Sequence, residues 1–198
     1  MPLKAPVQPS YELLRGLVVL RVVVITTVNL SALLIQFAFD LQLHLDPIYL
    51  STVVGFALSI ISAFTLRRIR PETHAILQIL GDLLLVSIIV YITGGPATIF
   101  TFLYLAVVVS GAALFGRAGG LVVAGLAAVF YALLVYLYAV RTLRPVQTVA
   151  AAPELSPPVL VQNVALNTAA FFATALLVSS STENLQRARA DVQRRNAE

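Results

Sequence analysis

The chain contains no cysteine and no tryptophan, and charge is scarce: 11% of its 198 residues are Asp, Glu, Lys or Arg. Without cysteine there are no disulfides, thiolate metal sites or cysteine nucleophiles. Without tryptophan, an interfacial belt has to use Tyr, Arg and Lys. The shortage of charge excludes more. Hydrophobic residues make up 59% of the chain and the mean hydropathy is +0.92. A soluble core of this size cannot hide that much apolar surface. Catalytic patterns are missing too: there is no GxSxG, HExxH, Walker or DxD motif and no Ser/His/Asp set. No catalytic residue, cofactor or metal is expected. His44 with Asp40 and Asp46 is a weak metal or pH-sensing signal at most.

What is present is a series of long apolar runs. A spanning helix needs roughly 20 apolar residues, and six runs qualify, near 15–38, 48–66, 74–93, 97–115, 120–140 and 159–178. They are continuously apolar and not alternating, which excludes a β-barrel. The expected fold is therefore all-α: a polytopic membrane protein with six transmembrane helices and a C-terminal cytoplasmic helical stem. Residues 1–14 form a cytoplasmic N-terminal segment, 15–178 the six-helix domain and 179–198 the stem. No cleavable signal peptide is evident, since the first apolar run is long enough to span.

Gly94, Gly95 and Pro96 are a strong turn signal between the third and fourth runs. Arg117 and Gly119 mark a second turn, within "GRAGG", between the fourth and fifth. With the N-terminus inside, Lys4, Arg15, Arg21, Arg67, Arg68, Arg70, Arg117, Arg187, Arg189, Arg194 and Arg195 lie at or near the cytoplasmic side, and only Arg141 and Arg144 lie outside. That bias puts both termini in the cytoplasm. The net charge of +4 thus reads as a topology signal, and no nucleic-acid partner is expected. The outer loops are short, so a stimulus or substrate is met within or close to the bilayer.

Two ionisable residues fall inside spans. Asp82 lies about 12 Å into the third run at ~1.5 Å per residue, where a charge costs at least ~2.5–3.5 kcal/mol. Arg21 lies at a matching depth in the first run. One reading pairs them across helices. A second lets Arg21 snorkel while a protonated Asp82 bonds backbone carbonyls or Gln78. A third makes Asp82 a relay. His74, beside Glu72, reads as an interfacial residue. Asn163 and Asn167 share one face of the sixth run and serve either internal packing or a dimer interface.

The tail "VSSSTENLQRARADVQRRNAE" is polar, free of Gly and Pro, and without a helix stop. Val178, Leu185 and Val192 recur at seven-residue spacing, with Ser181, Ala188 and Arg195 between them, an a/d stripe imperfect at Ser181 and Arg195. Glu183–Arg187 and Asp191–Arg195 are favourable i,i+4 pairs. The tail reads as a short parallel coiled coil continuing the sixth helix, or as a solvated terminal helix. The first reading implies a homodimer and a downstream output domain.

Residues 77–131, "LQILGDLLLVSIIVYITGGPATIFTFLYLAVVVSGAALFGRAGGLVVAGLAAVFY", resemble the membrane sensor region of PilS-type two-component histidine kinases. Asp82, Tyr91 with Gly94 and Gly95, and Arg117 with Gly119 carry the resemblance, which extends over about 13–195. It implies a bacterial inner-membrane sensor of type IV pilus gene regulation, feeding a cytoplasmic kinase that phosphorylates a response regulator. Pilin or another membrane helix would be its stimulus. No phospho-accepting His motif or ATP-binding box occurs in these residues, so they cannot phosphorylate anything themselves. The alternatives are a sensor module of another output enzyme, such as a cyclic-dinucleotide enzyme, or a small transporter or channel subunit. Convincing half-to-half similarity, which a transporter would favour, is not found.

Overall fold

The computed structural model of the chain describes residues 46–65, 68–142 and 156–195, with separate positions between 16 and 34, and gives side chains as far as Thr182. The loop residues His44 and Asp40 and the stem side chains of Leu185, Ala188 and Val192 lie outside the described residues, as do the side chain of Asp46 and the ion pairs expected along the stem.

All regular structure among the described residues is helical. The described positions between 16 and 34 form α1. They are followed by α2 (Asp46–Thr65), α3 (Pro71–Ile92), α4 (Leu103–Ala139) and α5 (Pro157–Arg195). α3 starts where its sequence says it should: Pro71 opens the first turn, where its missing N–H costs nothing, and Glu72 faces the positive end of the helix dipole. Three stretches among the described residues are long and apolar enough to cross a membrane: Pro71–Ile92, Ile99–Ala139 and Pro157–Thr182.

The second of these is two crossings. α4 is broken at Gly116, whose φ of 68° and ψ of −159° are non-helical. The chain reverses there. A Cβ added at Gly120 would lie 3.0 Å from the Ala112 Cα, and one added at Gly111 2.6 Å from a Val123 methyl. Further from the break, the Tyr104 and Tyr131 rings meet at 5.8 Å. An unbroken helix would hold positions 112 and 120 about 12 Å apart. Small residues therefore let the two limbs of α4 pack backbone to backbone. The pivot is Gly116, one residue before the Arg117–Gly119 turn read from sequence. Arg117 is exposed and Gly119 is already helical.

The Gly94–Pro96 turn also departs from expectation. α3 stops at Ile92, and Gly94 (φ 122°) and Gly95 (φ 64°) adopt backbone angles open to glycine. Two 3-10 turns follow, Gly95–Ala97 and Ile99–Phe102, before α4 begins at Leu103. The fourth helix thus starts six residues later than its apolar run. Thr98 is the reason: its extended backbone ends the first turn, and its hydroxyl accepts the Phe100 N–H that opens the second. The 3-10 turn at Ile99–Phe102 rises about 2 Å per residue. Added to residues 103–115, it lets the short α4 limb reach roughly 27 Å, close to the ~30 Å hydrocarbon core.

The bundle has two consistent ends. One carries the α2–α3 connection, Gly116 and Ser179, with Arg68, Arg70 and Arg117 exposed. The other carries Gly94–Pro96, against which Tyr138 and Asn163 pack. α5 starts at the second end and passes the first without a break. Its 39 residues cover about 58 Å, nearly twice the hydrocarbon thickness. The hydroxyls of Ser179, Ser180 and Thr182 bond back to Ala175, Leu177 and Val178 carbonyls, so the polar joint is helical throughout.

The outer surface is as apolar as the core. Phe64, Ile99, Val161 and Leu177 are 76%, 79%, 70% and 68% exposed. Such faces are stable against lipid and not against water.

Candidate functional site

Three features converge on α3. The first is the intramembrane charge pair. Arg21 Nε contacts Asp82 Oδ1, joining α1 to α3, with side chains 6% and 15% exposed. Ile25, one turn further along α1, seats on Gly55 of α2, where an added Cβ would collide with its terminal carbon. Ile25 also shares a wall with Leu85, Val86 and Ile89 of α3, so α1 lies beside α3 where Arg21 reaches Asp82. Pairing cancels the net charge that either residue alone would carry into the bilayer.

Above the pair, a groove of about 60 Å³ runs between α1, α3 and the first limb of α4. Its walls are Ile25, Leu85, Val86, Ile89, Leu103 and Val107, and among the described residues its polar lining is the pair itself and Ser110. Such a groove offers dispersion contact along its length and one polar anchor at fixed depth.

The second feature is an aromatic cluster that the sequence reading did not single out. Tyr104, Tyr131 and Phe171 are fully buried, with ring centroids 5.6 to 6.3 Å apart. They bind the two limbs of α4 to α5. The Ser87 hydroxyl spends its hydrogen on the Leu83 carbonyl, so Tyr104 donates to Ser87 at 2.6 Å. Asn167 donates both amide hydrogens, to the Asn163 carbonyl at 2.9 Å and to the Tyr131 hydroxyl at 3.4 Å. Asn163 donates to the Pro96 carbonyl. Both asparagines thus bond within the chain, and Asn163 ties the Gly94–Pro96 turn to α5. Tyr104 and Tyr131 lie at comparable distances either side of Gly116. Once that glycine is taken as the reversal point, their meeting can be read from the sequence.

The third feature is polar and lies at the arginine-rich end. His74 is 2% exposed, not an interfacial side chain in water, and its Nε2–H donates to the Ser62 carbonyl at 2.8 Å. Gln78 is 3% exposed. It bonds nothing among the described residues and does not support Asp82, which has Arg21. Among the described residues no cluster of three His, Cys, Asp or Glu could hold a metal ion.

Of the remaining expected positions, Val178 is half-buried and Ser179, beside it, is 1% exposed against Gly120. The joint to the stem is thus seated on the α4 reversal.

Comparison with known proteins agrees with this architecture. No curated protein and no solved structure matches the chain. The family model described as the PilS-like transmembrane domain matches residues 7–192. The match takes in every helix described above, from α1 to the end of the span portion of α5 and most of its stem. The chain is a multi-pass, all-helical membrane protein and belongs to the PilS-like transmembrane domain family.

Proposed function

We propose that this domain is the intramembrane sensor of a PilS-like two-component histidine kinase and signals through α5. The observation that carries the reading is the continuity of α5. It is one 39-residue helix, locked to both limbs of α4 by the contacts of Phe171 with Tyr104 and Tyr131, with Ser179 wedged on Gly120 at the exit. A change of packing around α3 and α4 therefore has a rigid element to move.

The stimulus enters at the groove over Arg21 and Asp82. Its apolar walls and polar anchor suit one side chain of a membrane helix laid against α1, α3 and α4, and pilin is the candidate that the family suggests. A bound helix shifts the sensor only by its different affinity for the two packings. The domain works as a homodimer. Val161, Leu166 and Leu177 leave α5 largely uncovered, and Val178, Leu185, Ala188 and Val192 continue that helix as the seam of a parallel coiled coil. The arginine-rich end, with both termini, faces the cytoplasm of a bacterial inner membrane, where the kinase core passes phosphate to its response regulator.

The test is helical phase. One to four alanines are inserted after Thr182 in the full-length protein, and autophosphorylation is measured in membranes. Each insertion turns the output by about 100°. Activity that rises and falls with phase supports α5 as the shaft. Activity indifferent to all four insertions refutes it.

A further inference from the structure

At the arginine-rich end a second cavity, of about 100 Å³, lies between α1, α2 and α3. Arg21, Ser62, Thr65, His74 and Gln78 are its polar lining, and Leu58, Ile61 and Leu77 are its apolar wall. It is distinct from the apolar groove, although Arg21 borders both. Four buried polar atoms on its lining side chains have no partner among the described residues: Arg21 Nη2, His74 Nδ1, and the Gln78 Nε2 and Oε1. Left dry, each costs about 1–3 kcal/mol, so something polar fills this space.

The donor and acceptor inventory says what. Arg21 Nη2 and Gln78 Nε2 are donors and Gln78 Oε1 is an acceptor. His74 Nε2 must carry the hydrogen it gives to the Ser62 carbonyl, so in the neutral ring Nδ1 is a bare acceptor. An anion would satisfy the donors and leave both acceptors unmet. It would also meet an arginine whose charge Asp82 already neutralises. An apolar chain would satisfy none of the four. Water both donates and accepts, and about 100 Å³ holds roughly three molecules at ~30 Å³ each. The depth fits as well. His74 and Gln78 lie about 5 and 10 Å along α3 from Pro71, within reach of the membrane surface.

We propose that this cavity is a water-filled vestibule that hydrates the Arg21–Asp82 pair from the arginine-rich side. The pair then has lipid-like walls on one side and water on the other. Arg21 can loosen from Asp82 without losing all hydrogen-bonding partners, which makes the pair a point that packing changes can open.

Radiolytic hydroxyl-radical labelling of the native chain in nanodiscs tests this, because bound water brings the radical to side chains that bulk solvent does not touch. His74 should be oxidised about ten-fold faster than fully buried Phe171, as expected of a residue beside internal water. The Gln78→Leu variant, which removes two of the polar atoms and keeps the bulk, should lower His74 labelling several-fold while Tyr104 stays unlabelled. His74 labelling equal to that of Phe171 in the native chain overturns the proposal. So does a co-purifying phospholipid, seen by native mass spectrometry, whose retention Gln78→Leu abolishes, for then a headgroup fills the cavity.

Discussion

Removing Asp82 should cost far more than removing both members of its pair. In Asp82→Leu the guanidinium of Arg21 stays at a site where its side chain is 6% exposed, and arginine cannot shed its proton. Breaking a buried pair by deleting one partner costs about 3–5 kcal/mol, or roughly two to four orders of magnitude in the folding equilibrium. Arg21→Leu leaves a carboxylate, which can escape by taking up a proton. Its penalty should be smaller and should shrink further as pH is lowered. The double variant leaves two apolar side chains facing each other, and such replacements are often neutral or stabilising. It should therefore recover to within about 1 kcal/mol of the native chain by the same reasoning. The assay is reversible unfolding in mixed micelles, followed by helicity, for the native chain, both single variants and the double. The exchange Arg21→Asp with Asp82→Arg extends the cycle and should also recover part of the loss. Additive single penalties, with the double variant the least stable of the four, would refute the pairing argument.

Gly116→Ala should destabilise the domain by about 1–3 kcal/mol. A Cβ there meets nothing within 4 Å, so the whole effect comes from the left-handed φ of 68°. A thermal melt in detergent checks this, and an unchanged midpoint would move the reversal elsewhere. Phe171→Ala should cost about 3–5 kcal/mol, since the ring is fully buried between Tyr104 and Tyr131. If α5 is the shaft proposed above, Phe171→Ala should also flatten the phase dependence of autophosphorylation in the full-length protein. A variant that unfolds no more easily and signals normally would remove the cluster from the coupling path.

The class of this protein was legible without coordinates because lipid imposes a one-dimensional rule. Every spanning backbone must satisfy itself, so long apolar runs have to be helices. The runs at 74–93 and 159–178, and the turn signals at Gly94–Pro96 and "GRAGG", follow from that rule and from the conformational freedom of glycine. Asp82 and Arg21 stood out for the same reason, as charges where charge is expensive. Their partnership was one reading among three, because depth along a helix says nothing of which way a side chain turns. The packing of α1 decides it: Ile25 seats on Gly55 of α2 and shares a wall with Leu85, Val86 and Ile89 of α3. Likewise Tyr104, Tyr131 and Phe171 look like three aromatics among many in the sequence. They become one cluster because the chain pivots at Gly116 and α5 returns alongside. His74 and Gln78 read as polar residues near a membrane surface. Tertiary packing buries both and sets them on the lining of one cavity, with three of their hydrogen-bonding atoms unpartnered among the described residues. Sequence determines what must lie in the membrane, because transfer free energy adds residue by residue. Structure decides what meets there, because contact depends on the rotation and closeness of helices, which residues far apart in the chain set together.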